Sequence, residues 1–218
     1  SELDQKRSRL AQKKARLLLD LAKEKLIAGG IEIVETHLRN GDFVDTVTEF
    51  QDDSDIIVIG KRGEAADFAK MHLGSNLERL IRSTNRPVLV AARAFKPINR
   101  LLVAFDGGRS SYGAIEYVAS NRLYSQLECH IVVAGKEGSR GHKQSTHAEN
   151  LLKKAGIKYR VFFERGEAEK VISNHVEQHS IDLLVMGAYG HSRIRNLMIG
   201  STTTQMIRSC LVPVLLFR

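Results

Sequence analysis

The sequence predicts an α/β protein built of two tandem doubly wound parallel-sheet domains, the first lacking its N-terminal strands. Three observations predict it. Short apolar runs alternate with amphipathic stretches of helical length, the pattern of a parallel sheet covered by helices on both faces. The chain repeats itself at a steady offset of 126 or 127 residues. The first copy has no counterpart of residues 99 to about 141 of the second.

The repeat is read from matching segments. "AGGIEI" at 28–33 matches "KAGIKY" at 154–159, "DIIVIG" at 55–60 matches "DLLVMG" at 182–187, and "RPVLVAAR" at 86–93 matches "VPVLLFR" at 212–218. Gly30 to Gly156, Gly74 to Gly200 and Pro87 to Pro213 are each 126 apart, and Gly60 to Gly187 is 127. The second copy is complete and is taken in order. Strand "NRLLVAFD" leads to helix "SSYGAIEYVASNRL", strand "QLECHIVVAG", a helix around "HKQSTHAENLLKKAG" and strand "IKYRVFFERG". Helix "EAEKVISNHVEQHS", strand "IDLLVMG", a loop, helix "STTTQMIRSC" and strand "PVLLFR" complete it.

The first copy begins at its second helix. A doubly wound sheet is built outward from its first strand, so a copy without its first two strands leaves backbone donors and acceptors unpaired. The expectation is that residues precede Ser1 in the native protein; strands supplied by another chain are the weaker alternative. "RAFKPIN" at 93–99 reads as the linker, because Pro97 keeps the preceding residue out of helix. The domains are therefore expected at 1–95 and 99–218.

Composition narrows the function. At 218 residues and 43% hydrophobic, the chain can bury a sizeable core. It has no apolar run long enough to span a membrane, and its opening "SELDQKRSRLAQKK" has no signal-peptide core, so a cytoplasmic protein is expected. Two cysteines, Cys129 and Cys210, argue against a disulfide framework and read as small buried thiols. The net charge of +8 is uneven: residues 1–98 hold 17 Lys/Arg against 15 Asp/Glu, and residues 99–218 hold 16 against 10. The second half thus favours anionic ligands. With no Trp, 6% aromatic residues and no aromatic-basic interleaving, nucleic acid is the weaker partner.

In an open doubly wound sheet, ligands bind beyond the carboxyl ends of the strands. Asp106 closes the first strand of the second copy and Gly187 closes the fourth. From Gly187 the spacing runs two residues to Gly190, then nine to Gly200, Ser201 and Thr202. Gly187 and Gly190 are expected to supply positive φ and close backbone approach, and Gly200 a tight turn into the next helix. Ser201 or Thr202 would stand at a helix N-terminus, where free N–H groups and the helix dipole attract a phosphate. Each piece has a plainer explanation, since Ser201 could be an ordinary N-cap and Asp106 could merely cap the helix after "GGRSS". Their combination in one crevice is what favours a nucleotide.

The Gly-x2-Gly-x9-Gly-Ser/Thr pattern, an Asp ending the first strand and a Pro-Val apolar final strand together resemble the universal stress protein family, in its tandem two-domain form. The resemblance covers essentially the whole chain. It implies an adenine nucleotide α-hydrolase-like fold that holds ATP, ADP or AMP, with or without Mg2+. Carried over by position, Ala104, Phe105, Asp106 and Val132 would surround base and ribose. Gly187, Gly190, Gly200, Ser201 and Thr202 would hold ribose and phosphates. Val132 depends on the register of "ECHIVVAG". The first copy departs from the pattern: ten residues separate Gly63 from Gly74, Glu64 and Asp67 add negative charge, and no strand supplies the Asp. It is expected to bind nucleotide poorly or not at all. Its final strand "PVLVAA" is expected to pair with "PVLLF", the contact that joins dimers in the resembling family, giving an internal pseudo-dimer beside any homodimer.

Other polar residues have plainer roles. Arg193 and Arg195 lie inside the loop and could meet phosphates, with His191 a weaker candidate. His175 and His179 have the i, i+4 spacing of a metal pair, but no zincin glutamate and no third ligand is evident, so both are expected at the surface and no metal site is assigned. "GKEGSRGHKQSTH" at 135–147 reads as a mobile loop over the crevice mouth. An enzyme is disfavoured, because the loop has no Walker lysine, no nucleophile beside a His and no paired carboxylates, which leaves room only for slow hydrolysis of bound ATP. A nucleotide-independent dimerisation scaffold, or a binder of another small anionic or hydrophobic ligand, is the alternative. A phosphoreceiver needs an acidic cluster where this chain has Asp106 alone.

Overall fold

A computed structural model describes residues 2–61, 75–189 and 199–218. The chain divides into two compact units, Ser1–Asp42 and Phe43–Arg218. The first unit is helix α1 (Glu2–Ala28) and the segment after it. α1 stops at Gly30, whose φ of 92° is open to glycine: Ile31 N–H donates to Leu26 O at 3.0 Å and Gly30 N–H to Ile27 O at 2.9 Å. The repeat would make the following residues a strand, yet 31–42 carry no regular structure. The segment forms no ladder, and a strand needs a ladder partner as well as suitable residues.

The second unit opens with α2 (Phe43–Thr48), β1 (Ile57–Gly60), α3 (Ser75–Ser83) and β2 (Val88–Ala91). It continues with β3 (Arg100–Ala104), α4 (Arg109–Ser120), β4 (Glu128–Ala134), α5 (Arg140–Lys154) and β5 (Tyr159–Glu164). It closes with α6 (Ala168–Gln178), β6 (Leu183–Gly187), α7 (Ser201–Ser209) and β7 (Val214–Phe217). α5 ends as α1 does. Gly156 has φ 70°, Ile157 N–H donates to Leu152 O at 3.0 Å and Gly156 N–H to Lys153 O at 3.1 Å. Gly30 and Gly156 are repeat-equivalent, so the duplicated sequence yields a duplicated helix stop.

Among the described residues the strands form one sheet in the order β1-β2-β7-β6-β3-β4-β5. All neighbours are parallel except β2 and β7, which pair antiparallel with Leu89 opposite Leu215. β3, first in its copy, lies between β4 and β6, so strand order reverses on either side of it. That is the switch point of a doubly wound sheet.

Strand alternation builds two cores. Leu102, Val132, Leu184, Met186, Val214 and Leu216 pack with residues of α3, α6 and α7 on one face. Leu101, Val103, Leu183, Val185, Leu215 and Phe217 pack with α4 and α5 on the other. Cys129 is fully buried in the second core and Cys210 is half-buried, and burial raises the pKa of both thiols, which keeps them unreactive.

Only 135–139 of the polar stretch 135–147 are irregular, and 140–147 belong to α5. Ser139 caps α5, its hydroxyl accepting from His142 N–H at 3.4 Å, and Gly141, Ser145, Ala148 and Leu152 form a buried stripe. Small residues at helical spacing let α5 pack closely, which its polar composition hides.

Candidate functional site

β3, β4 and β6 end together beneath a crevice of about 1220 Å3, large enough for a nucleotide-sized ligand. Ala104, Phe105, Asp106, Val132, Gly187, Gly200, Ser201 and Thr202 all line it. Register explains the convergence: Ala104 is opposite Val132 in β4 and Met186 in β6. Phe105 N–H donates to Val132 O at 2.9 Å, which places Val132 beside the end of the first strand. Gly190, His191, Arg193 and Arg195 fall outside the described residues, as do Gly63, Glu64, Asp67 and Gly74 of the first copy.

Asp106 closes the turn into α4. Its Oδ1 accepts from Gly108 N–H at 2.8 Å and from Ser111 Oγ at 2.7 Å. Asp106 thus closes the turn ahead of α4 without capping it, since the N-cap is Gly108 and has no side-chain cap bond, and a carboxylate retains acceptor capacity for a ligand as well. Gly107, between them, has φ 72°.

The glycines act through space more than through φ. Neither Gly187 nor Gly200 has positive φ; Gly200, at φ −59° and ψ 146°, is an N-cap conformation that any residue adopts. Gly187 is needed because a β-carbon there would stand 2.7 Å from Ser110 Cβ, in the first turn of α4. Gly200 N–H donates to Ala188 O at 3.0 Å, which sets the start of α7 beside the end of β6.

The hydroxyls divide their work. Ser201 is exposed at the first turn of α7 and lines the crevice. Thr202 Oγ1 donates to Glu169 Oε1 of α6 at 2.7 Å. Thr203, which sequence reasoning passed over, is buried and donates to Gly187 O at 3.0 Å. Thr203→Val, which removes that donor but keeps the shape, is expected to cost about 1 kcal/mol in urea unfolding.

Further lining residues were missed. Arg82, on α3 of the first copy, reaches the crevice of the second, and Arg208 of α7 lines it too. Both arginines lie in the last turns of their helices and share the crevice wall with Glu78, and their guanidiniums suit an anion. Among the described residues, Tyr189 Oη is the buried side-chain polar atom without a hydrogen-bond partner, and Tyr189 also lines the crevice. Burial, ahead of the lowering influence of Arg218 and Arg82, raises its pKa, so the hydroxyl stays protonated.

The histidine expectation is corrected. His175 is 1% exposed and meets His130 of β4, also 1% exposed, with His179 close to both. The third member was concealed inside the apolar run of β4.

Comparison with known proteins follows the same lines. The family model described as "Universal stress protein family" matches residues 1–92 and 97–218. The universal stress protein Slr1230 of Synechocystis sp. is 42% identical over 219 residues, spanning 100% of this chain and 76% of that protein. The universal stress protein YxiE of Bacillus subtilis is 23% identical over 146 residues, 55% of this chain and 99% of its own. A crystal structure of a universal stress protein from Archaeoglobus fulgidus superposes with a TM-score of 0.75 at 27% identity, covering 95% of this chain and 77% of that one. The chain therefore belongs to the universal stress protein family, whose model it matches over two successive segments.

Proposed function

We propose that the crevice of the second copy binds an adenine nucleotide, ATP, ADP or AMP, and that occupancy regulates the protein's part in a stress response. The observation that carries the reading is convergence: Asp106, Gly187, the N-terminus of α7 and the cations of Arg82 and Arg208 line one crevice. The buried, unpartnered Tyr189 hydroxyl in the same wall is a donor that fits a polar ligand. Ala104, Phe105, Asp106 and Val132 would hold base and ribose. Gly187, Gly200, Ser201 and Thr202 would hold the phosphates, and the family pattern adds Gly190 and Arg193.

The sequence domains 1–95 and 99–218 then have unequal roles. The first supplies Arg82 and a joining strand, and the second supplies the pocket. The antiparallel β2–β7 pairing is the specific support for a pseudo-dimer within one chain.

Calorimetric titration of MgATP into the protein tests the reading. One site per chain is expected. Two sites would assign a pocket to the first copy also, and none would move the protein to the scaffold class. Arg82→Gln and Arg208→Gln should each weaken ATP about fivefold, because exposed cations are screened, and leave adenosine unchanged. Equal losses for adenosine would remove the arginines from the phosphate end.

A further inference from the structure

α6 links the crevice to a second group of side chains. Ala168 and Ile172 line the crevice at one end, and His175 lies in the last turn, about 10 Å further along the axis. There His130, His175 and His179 each offer a ring nitrogen, and the three atoms lie within 4.8 Å of one another. Phe162 walls the group, its ring centroid 4.9, 4.5 and 5.1 Å from the three imidazoles. His130 and His175 are buried, and His179 is half-buried. Access therefore runs past His179.

The hydrogen-bond pattern asks for a cation. His130 Nδ1 faces His175 Nε2 at 2.9 Å. Behind the pair, His130 Nε2 faces Glu128 Oε1 at 3.4 Å and His175 Nδ1 faces Glu164 Oε1 at 3.0 Å. Both rings are 1% exposed, and burial disfavours the imidazolium form. Two neutral rings carry two N–H groups for three contacts. When both protons point to the carboxylates, two lone pairs face each other across 2.9 Å. A proton moved between the rings relieves this only by leaving a carboxylate facing a bare ring nitrogen.

We propose that His130, His175 and His179 bind a divalent transition-metal ion of the zinc class, with Glu128 and Glu164 orienting the first two ligands from behind. Imidazoles whose second nitrogen is held by a carboxylate are the arrangement that fixes tautomer and ring orientation in zinc sites. Three histidines leave the fourth tetrahedral position to water. Two tetrahedral nitrogens on zinc stand about 3.4 Å apart, so on loading the His130–His175 pair opens from 2.9 Å and the half-buried His179, now within 4.8 Å, turns off its stack on His175 and closes in. Glu128 also binds Arg100 at 3.0 Å and Arg160 at 3.2 Å, which offsets part of its charge. Glu164 Oε1 lies 3.0 Å from His175 Nδ1 and supplies the nearer negative charge.

The test uses the full chain stripped with a chelator and then titrated with Co2+, followed by displacement with Zn2+. One equivalent should give the intense visible bands of four-coordinate cobalt, and zinc should raise the unfolding temperature. Substituting buried His175 can unfold the protein, so half-buried His179 carries the test. His179→Ala should weaken cobalt and zinc about 100-fold, and Glu164→Gln about tenfold, with the fold unchanged by circular dichroism. Absence of cobalt bands would overturn the proposal and leave a proton as the occupant of the His130–His175 contact. Equal zinc affinity in wild type and His179→Ala would place the ion on other histidines and overturn it as well.

Discussion

Gly187→Val is expected to abolish nucleotide binding and to lower stability by about 1–3 kcal/mol, the usual cost of forcing volume into a packed contact. A β-carbon at Gly187 meets Ser110 Cβ at 2.7 Å, Ser111 N at 3.4 Å and Ser110 C at 3.5 Å. None of these is the far end of a flexible side chain, so the end of β6 and the first turn of α4 must separate. Ser111 is in that turn and its hydroxyl holds Asp106 at 2.7 Å. One added carbon therefore disturbs both walls of the crevice. Gly187→Ala should weaken binding by a smaller factor. Urea titration and calorimetry together check this, and an affinity within twofold of wild type in the valine variant would show that the crevice is not the nucleotide site.

Asp106→Ala is expected to abolish binding as well, for two separable reasons. It removes the acceptor for Gly108 N–H and Ser111 Oγ, costing about 1–2 kcal/mol for the two hydrogen bonds, and it removes the carboxylate from the proposed base-ribose end. Asp106→Asn separates them, because its amide oxygen keeps accepting in the turn while the charge is gone. The alanine variant should lose both stability and binding, and the asparagine variant should recover stability yet bind weakly. If the asparagine variant binds as wild type does, Asp106 is a turn residue and no ligand to the nucleotide.

The second copy was readable because each strand is a short apolar run closed by a marked residue. β3, which Asp106 follows, and β6, which Gly187 ends, are neighbouring strands, as the switch-point rule requires. Val132, the position that hung on register, falls opposite Ala104. Other features were beyond local pattern. Arg82 belongs to the first copy and reaches the crevice through the antiparallel joint, a tertiary relation with no trace in spacing. His130 sits 45 residues from His175 in a strand that reads as plain core. Residues 31–42 have the composition of a strand, but strand formation depends on a partner and not on composition alone. Gly200 was credited with a turn that its φ does not need, because its hydrogen bond to Ala188 does the closing.

The β2–β7 joint has a consequence for mass action. Two separate chains would have to meet to form that ladder, and dilution would dissolve it. Here Leu89 and Leu215 are opposed within one polypeptide, so the ladder closes in a first-order step at an effective concentration set by the intervening chain. The supply of Arg82 to the second copy's crevice is then independent of how much protein the cell contains. Nucleotide affinity should therefore hold constant across protein concentrations at which a two-chain version of the same site would come apart.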